Sequence, residues 1–192
     1  MKELSLNILD IVQNSLRARA NEISIEVKES IKSDLYQIVI TDNGNGIPDE
    51  ILKNVTDPFV TTRTKRKMGL GLPLLKYHAE LTGGGLVVNS RLGKGTEVEA
   101  NFLYSHIDRQ PLGDITGVLT VLLASNPEIN FIYHHITDKG EYLFSSKETK
   151  EYLETDSLTD ISLLKQIGSM IKENLKEIEA SGIDYKEFNK ED

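Results

Sequence analysis

The chain has 192 residues, a length that allows one large domain or one and a half. Its composition, 39% hydrophobic and 27% charged, excludes wholesale disorder, a collagen-like chain and a coiled-coil rod. The absence of cysteine excludes disulfides, thiolate metal sites and cysteine nucleophiles. The net charge of -8 arises from residues 106–192, which hold 9 basic and 17 acidic residues against 13 of each in residues 1–105, and this balance argues against general nucleic-acid binding.

In the neutral half, apolar residues at helical spacing predict an amphipathic helix over residues 3–18, on which Asn7, Asp10 and Asn14 form a polar stripe. Alternating apolar residues then predict two strands, and Gly44 and Gly46 require a loop after them. The remaining predicted elements of this half are a helix from Pro48 to about Asn54, a helix opening at Gly69–Leu72 and ending near Leu81, and strands over 86–90 and 96–104.

The acidic half has a different pattern. We predict a helix over residues 111–124, a hairpin of strands 130–137 and 141–145, and a helix over 160–178 that follows a capping box of Ser157 and Asp160. The near-apolar run 115–124 is about half the ~20 residues that a membrane span needs. The first residues also do not resemble a signal peptide, so we expect a cytoplasmic protein without membrane contact.

Three features of the neutral half suggest a nucleotide site, and each has a plainer alternative. The turn Gly69–Leu72 follows the basic cluster 63–67 and would suit a triphosphate beneath a basic lid, although such a turn is usually only a helix cap. Asp42 offers an acceptor for the adenine amine, or is a turn-forming residue. Asn14 and Asp10, one helical turn apart, share a magnesium ion or face solvent.

Five motifs occur in the order found in the Bergerat-fold ATPases, which include histidine-kinase catalytic domains, gyrase, Hsp90, MutL and the anti-sigma-factor kinases. They are LDIVQNSLRARA (9–20), DNGNGIP (42–48), DPFVTTR (57–63), MGLGLPLLK (68–76) and GKGTEVEANF (93–102). The chain therefore resembles this superfamily over residues 3–104. The phrases PFVTTR, GLGL and TGGGLVVNS are most similar to the histidine-kinase branch.

The resemblance implies an ATP site with Mg²⁺. It makes Asn14 the metal ligand and Asp42 the reader of adenine, and it places Asp10 where relatives carry a water-activating glutamate that is one methylene longer. The other implied nucleotide-binding residues are Gly44 and Gly46 at the base, Thr96 through a water, Thr62, Arg63, Lys65 and Lys67 in the lid, and Gly69, Leu70, Gly71 and Leu72 at the phosphates.

The implied fold is α+β, a two-layer α/β sandwich with a C-terminal αββα extension, divided into an ATP-binding domain over 1–105 and an acidic extension over 106–192. No phosphoacceptor histidine precedes the first motif, so the expected function is that of a protein kinase acting on a partner protein in trans in signal transduction. The alternative is an ATP-gated binding switch with slow hydrolysis. The extension has no assigned role, and its last helix could pair two copies into a homodimer.

Overall fold

The computed structural model of the protein describes residues 3–57 and 71–182. Within these ranges the chain forms six helices and six strands. In chain order they are α1 (Leu4–Arg17), β1 (Glu22–Ser30), β2 (Leu35–Asp42), α2 (Asp49–Leu52), α3 (Gly71–Leu81), β3 (Gly85–Arg91), β4 (Gly95–Leu103), α4 (Ile115–Ser125), β5 (Asn130–Ile136), β6 (Glu141–Ser145), α5 (Ser146–Tyr152) and α6 (Ile161–Glu177).

The strands form one mixed sheet in the order β3-β4-β2-β1-β5-β6. Strands β1 and β5 pair in parallel, with Ile25 opposite Tyr133, and the other described pairs are antiparallel. The hairpin of the acidic half therefore continues the sheet of the neutral half through β1. At the other side of β2, Asp42 lies opposite Thr96 of β4.

One face of the sheet carries the core. Ile23, Ile25 and Val27 of β1 are fully buried, whereas the alternate residues of the same strand are half-buried or exposed. Alternation of this kind places every second side chain against the helices and leaves the other face open to solvent. The protein is thus a two-layer α/β sandwich, and the predicted fold class is confirmed.

Helix α4 begins at Ile115, four residues later than predicted, because Asp114 is its N-cap and accepts a hydrogen bond from Gly117 N at 2.7 Å. The preceding carbonyls of Pro111 and Leu112 accept hydrogen bonds from the first turn of α1 instead, at 3.0 and 2.8 Å. Those donors would otherwise have no intrahelical partner. In residues 3–57 and 71–182, no helix is long and apolar enough to cross a membrane.

Two capping side chains set the starts of helices α5 and α6. Asp160, rather than Ser157, caps α6 by accepting a hydrogen bond from Leu163 N at 2.9 Å. The short helix α5 was not predicted because its sequence has no apolar periodicity; Ser145 caps it by accepting from Glu148 N.

A buried polar cluster fixes the end of α6 to the sheet. Glu29 of β1 is 4% exposed and accepts hydrogen bonds from His135 Nε2 at 2.8 Å and Ser181 N at 2.7 Å. The Tyr133 hydroxyl oxygen lies 2.7 Å from His135 Nδ1, so both ring nitrogens of His135 have a hydrogen-bond partner. Burial alone would raise the pKa of Glu29, but the hydrogen bonds from His135 and Ser181 outweigh it and hold the pKa below its usual value.

This cluster makes stability depend on pH. A carboxyl whose folded pKa is lowered stabilises the protein above its unfolded pKa, and the contribution is lost as the pH falls through the folded pKa. We expect Glu29→Gln to lower the free energy of unfolding by about 1–3 kcal/mol at pH 7, because a buried amide N–H replaces an acceptor. The difference from wild type should shrink once the pH falls below the usual value of 4.5.

Urea unfolding of both proteins at neutral and acidic pH measures this difference. The matched control is Glu173→Gln, which changes an exposed carboxylate on α6 and should have little effect. An equal loss for the two variants, or a Glu29→Gln difference that does not vary with pH, would contradict the role of the carboxylate.

Candidate functional site

The site is built around the carboxylate of Asp42 at the end of β2. Asp42 is 8% exposed, and each of its oxygens already accepts one hydrogen bond: Oδ2 from Ser15 Oγ of α1 at 2.6 Å, and Oδ1 from Gly44 N at 2.9 Å. A carboxylate has about four acceptor positions, so two hydrogen bonds leave capacity for a ligand donor. Ser15 and Gly44 therefore fix the position of the Asp42 carboxylate and leave it able to accept further hydrogen bonds.

Thr96 of β4 lies directly opposite Asp42 and adds a second polar side chain to the site. Its Oγ1 is 2.9 Å from Ser90 Oγ, which donates to Gly95 O at 2.9 Å and accepts from Ile47 N at 2.8 Å. Since Ser90 has a single hydroxyl proton, Thr96 is the donor to Ser90, and its lone pairs stay available as acceptors. A shallow depression of ≈ 340 Å³ borders Asp42 and Thr96; the exposed Thr41 and Asn89 also line it, and no residue of α1 does.

Two glycines let the loop of residues 43–48 pass close to its neighbours. A Cβ at Gly44 would lie 2.8 Å from the carbonyl oxygen of Ala18, and one at Gly46, whose φ is +68°, would lie 2.1 Å from that of Arg91. Hydrogen bonds from Asn45 N to Ala18 O and from Gly93 N to Asn45 O, both 2.7 Å, tie the loop to α1 and to the β3–β4 turn. Side chains at these glycines would push the loop away.

Helix α1 supplies the opposite wall. Asp10 is exposed and Asn14 half-buried on one stripe of the helix, while Asn7 on the same stripe is fully buried. Arg17 donates from Nη1 to Asn14 Oδ1 at 2.9 Å, so a guanidinium holds the amide oxygen. Asp10 and Asn14 are one helical turn apart, so their oxygen-bearing side chains lie on the same face of α1.

The amino-terminal end of α3 lies against this stripe. Gly71 is buried, and a Cβ there would be 3.0 Å from the Asp10 Cβ, so the two helices approach closely at this point. Leu72 is half-buried and packs on the core. The predicted lid and turn residues Thr62, Arg63, Lys65, Lys67, Gly69 and Leu70 lie outside the described residues.

Two residues of the site escaped the sequence interpretation. Ser15 fixes Asp42, and Arg17 pairs with Asn14, although the sequence places Ser15 27 positions from its partner. A signal existed for Arg17, because a cation three residues after a polar residue lies on the same helix face. None existed for Ser15, since its partner depends on how α1 packs on β2.

The donor set suits a magnesium ion that arrives with phosphates. Asn14 and Asp10 offer hard oxygen ligands. Across residues 3–57 and 71–182, no group of three or more histidine, aspartate or glutamate side chains could hold a metal ion. The residues present therefore fit an ion bound mainly by a nucleotide and touched by one or two protein oxygens, which is a common arrangement for Mg²⁺.

The family model described as histidine kinase-, DNA gyrase B- and HSP90-like ATPase matches residues 2–106, more than half of the chain. The chain belongs to this family. This histidine kinase-like ATPase thus contains an ATP-binding domain, as the resemblance of its motifs implied, and that resemblance is confirmed.

The curated relatives include histidine kinases. The putative sensor histidine kinase NtrY-like of Rickettsia conorii is 31% identical over 56% of this chain, and the histidine protein kinase DivJ of Caulobacter vibrioides is 34% identical over 47%. The chain spans only 18% and 16% of the lengths of these two relatives. The similarity is therefore to one part of each kinase.

A solved structure shares the fold of this histidine kinase-like ATPase. The N-terminal domain of a DNA repair protein superposes with a TM-score of 0.51 at 22% identity, covering 74% of this chain and 52% of that one. At this identity the likeness shows the fold alone. Its coverage exceeds that of the family model, so parts of the acidic half share the arrangement.

The geometry at Asp42 predicts unequal effects for two neighbouring glycines. Gly93 and Gly95 both have positive φ, +75° and +97°, but a Cβ at Gly93 meets nothing within 4 Å, whereas one at Gly95 would lie 1.8 Å from the Asp42 carbonyl oxygen. We expect Gly93→Ala to cost about 1–2 kcal/mol of unfolding free energy from backbone strain. Gly95→Ala should cost about 1–3 kcal/mol more from the overlap.

Chemical denaturation of the two variants beside wild type measures the difference. Gly93→Ala is the matched control, because it shares the strain and lacks the clash. Equal losses would mean that the β3–β4 turn does not press on the Asp42 backbone as described.

Proposed function

We propose that the chain binds Mg-ATP with the adenine at Asp42 and the phosphates between α1 and α3, and that it transfers the γ-phosphoryl group to a partner protein. The observation that carries the proposal is the Asp42 carboxylate, buried and held by Ser15 and Gly44 with acceptor capacity remaining. An adenine N6 amine is a donor that such an acceptor fits. Because Gly44 and Gly46 have no side chains, the adenine base would be able to approach the backbone of this loop closely.

The chain's own residues would orient the nucleotide. Thr96 would accept from a water beside the base, and Asn14 Oδ1 would contact the metal ion once Arg17 releases it. Released in this way, the Arg17 guanidinium would become available to phosphate oxygens. The Mg²⁺ would neutralise phosphate charge when bound. The glycine turn that the sequence predicts at the start of α3 would offer N–H groups to an anion at the same place.

Phosphoryl transfer needs mainly positioning and charge neutralisation, and these groups would supply both. The proposed lid residues Thr62, Arg63, Lys65 and Lys67, with Gly69 and Leu70, would complete the phosphate end. Cations there would oppose the charge of the γ-phosphate. Leu72 would seat the first turn of α3 on the core.

The environments of His134 and His135 argue against either of them as the phosphoacceptor. The places of the histidines are as follows: His78 contacts Gln110, His106 lies 4.0 Å from Asp108, His134 lies between Glu26 and Glu141, and His135 is buried. A phosphoacceptor imidazole must present a nitrogen to the γ-phosphate in line with the leaving oxygen. A fully buried ring such as His135 does not offer one, and the carboxylates beside His134 would repel the phosphate.

A second function, a switch that hydrolyses ATP slowly, is favoured by the place of Asp10. Its carboxylate is exposed beside the amino-terminal end of α3, where the phosphates would lie. A carboxylate in that place would orient or deprotonate a water molecule. In this scheme phosphate is released to solvent, and the bound nucleotide controls engagement of a partner.

The nucleotide site is tested by Asp42→Asn. The new amide would face the adenine amine donor with a donor of its own, so we expect a loss of about 1–3 kcal/mol of binding free energy, roughly a ten- to hundredfold rise in the Kd of ADP. Calorimetry with Mg²⁺ and ADP measures it. Asp49→Asn, which removes an exposed carboxylate from α2, is the matched control and should bind as wild type. An unchanged affinity in Asp42→Asn would sink the assignment of the base pocket.

The reaction is tested with γ-labelled ATP. We expect wild-type protein, mixed with each protein encoded beside it, to place label on one of them, and Asp42→Asn to place much less when the ATP concentration is near the wild-type Kd. Release of labelled inorganic phosphate without labelled protein, lost in Asp10→Asn, would support the hydrolysing switch and contradict the kinase. Retained nucleotide binding in Asp10→Asn separates a chemical defect from a binding defect.

A further inference from the structure

Two asparagine–glycine pairs follow one another in the loop after β2. They are Asn43-Gly44 and Asn45-Gly46, and the sequence contains no other pair of this kind. In such a pair the backbone nitrogen of the glycine can attack the side-chain carbonyl carbon of the asparagine, because glycine has no side chain to obstruct the approach. The two pairs differ in their hydrogen bonds, so the structure predicts different reactivity for them.

Both reacting groups of the first pair are held by hydrogen bonds. Asn43 Oδ1 accepts from Asn21 N at 3.0 Å and from Glu22 N at 3.1 Å, and Asn43 Nδ2 donates to Asn21 Oδ1 at 2.6 Å. The attacking nitrogen, Gly44 N, donates to Asp42 Oδ1 at 2.9 Å. Attack within this pair would break these hydrogen bonds, so they protect the side-chain amide of Asn43.

The second pair lacks these restraints. Asn45 is exposed, and among residues 3–57 and 71–182 neither its side-chain amide nor the backbone N–H of Gly46 has a hydrogen-bond partner. The side chain of Asn45 can therefore turn toward the Gly46 nitrogen without losing a hydrogen bond.

A backbone hydrogen bond also activates the attacking nitrogen of this second pair. Gly93 N donates to Asn45 O at 2.7 Å, and Asn45 O belongs to the same peptide group as Gly46 N. A donor at the carbonyl oxygen stabilises the negative charge that develops on this group when its nitrogen loses a proton. Since attack follows the loss of that proton, the hydrogen bond from Gly93 favours the reaction.

We propose that Asn45 is a site of spontaneous deamidation. The deprotonated Gly46 nitrogen attacks Asn45 Cγ, the bond from Cγ to Nδ2 breaks, and the side-chain nitrogen takes up a proton and leaves as ammonia. The resulting five-membered succinimide is opened by water at either of its carbonyl carbons, which gives aspartate or isoaspartate. One water is consumed and one ammonia is released, without oxidation or reduction, so solvent is the sole co-reactant.

The modification alters the loop to which the proposed function assigns the adenine base. A Cβ at Gly46 would already lie 2.1 Å from Arg91 O, so the extra backbone methylene of isoaspartate has no space beside Gly46. Both products also add a negative charge to the loop. We expect deamidated protein to bind ADP more weakly; this consequence rests on the proposed function, whereas the modification itself does not.

Peptide mapping by mass spectrometry, on folded protein sampled during incubation at neutral and mildly alkaline pH, tests the site. We expect Asn45 to convert to aspartate and isoaspartate at a rate roughly tenfold or more above that of Asn43, because reaction at Asn43 forfeits several hydrogen bonds. Conversion should accelerate as the pH rises, since the attacking nitrogen must be deprotonated. In unfolding concentrations of urea the two asparagines should convert at similar rates, because the folded contacts that distinguish them are gone.

Calorimetry with Mg²⁺ and ADP, on fresh and incubated samples, tests the consequence. Incubated wild-type protein should lose binding capacity in proportion to the converted fraction of Asn45. The matched control is Asn45→Gln, whose longer side chain cannot form the five-membered ring, and its incubated sample should bind as its fresh sample does. Should fresh wild-type protein bind no ADP, the proposed function fails, while peptide mapping still decides the modification.

The comparison of folded and unfolded protein makes the proposal falsifiable. Conversion of Asn43 as fast as that of Asn45 in the folded protein would overturn it. An Asn45 that stays intact in folded protein, under conditions in which the unfolded chain converts, would overturn it as well. An equal loss of ADP binding in incubated wild type and Asn45→Gln would contradict the consequence for the nucleotide site.

Discussion

The arrangement of the neutral half depends on keeping the carboxylate of Asp42 buried, hydrogen-bonded and still able to accept. A buried carboxylate without partners would be costly. Ser15 and Gly44 each satisfy one oxygen, and this requires α1 to lie against the end of β2 and the loop after β2 to turn back tightly. The glycines and the β3–β4 turn follow from that requirement, because side chains at Gly44 or Gly95 would overlap the backbone around Asp42.

The acidic half is attached to this unit by physical links at both ends. Strand β5 adds to β1 in parallel, and the carbonyls of Pro111 and Leu112 satisfy the first N–H groups of α1. Glu29 of β1 also accepts hydrogen bonds from His135 of β5 and from the backbone N–H of Ser181, which follows α6. The first turn of α1, the helix that would hold the nucleotide, is thus hydrogen-bonded to the acidic half.

The two parts of the proposed function are linked. The nucleotide would occupy the space between Asp42 and α1, and the partner's phosphoacceptor would approach from the phosphate end. Failure of nucleotide binding would therefore remove phosphoryl transfer as well, whereas failure of transfer would leave the nucleotide site intact.

The sequence by itself determined most of the helices and strands, because periodicity and turn residues are short-range signals. It also determined the family, because the five motifs occur in order along the chain. It could not find the short helix α5 or the Asp114 cap, whose signals are weak. The pairing of β5 with β1, the hydrogen bond from Ser15 to Asp42 and the contact of Glu29 with Ser181 join residues 27 to 152 positions apart. Only the tertiary structure decided these, because contacts at such separations depend on how whole elements pack and leave no periodicity in the chain.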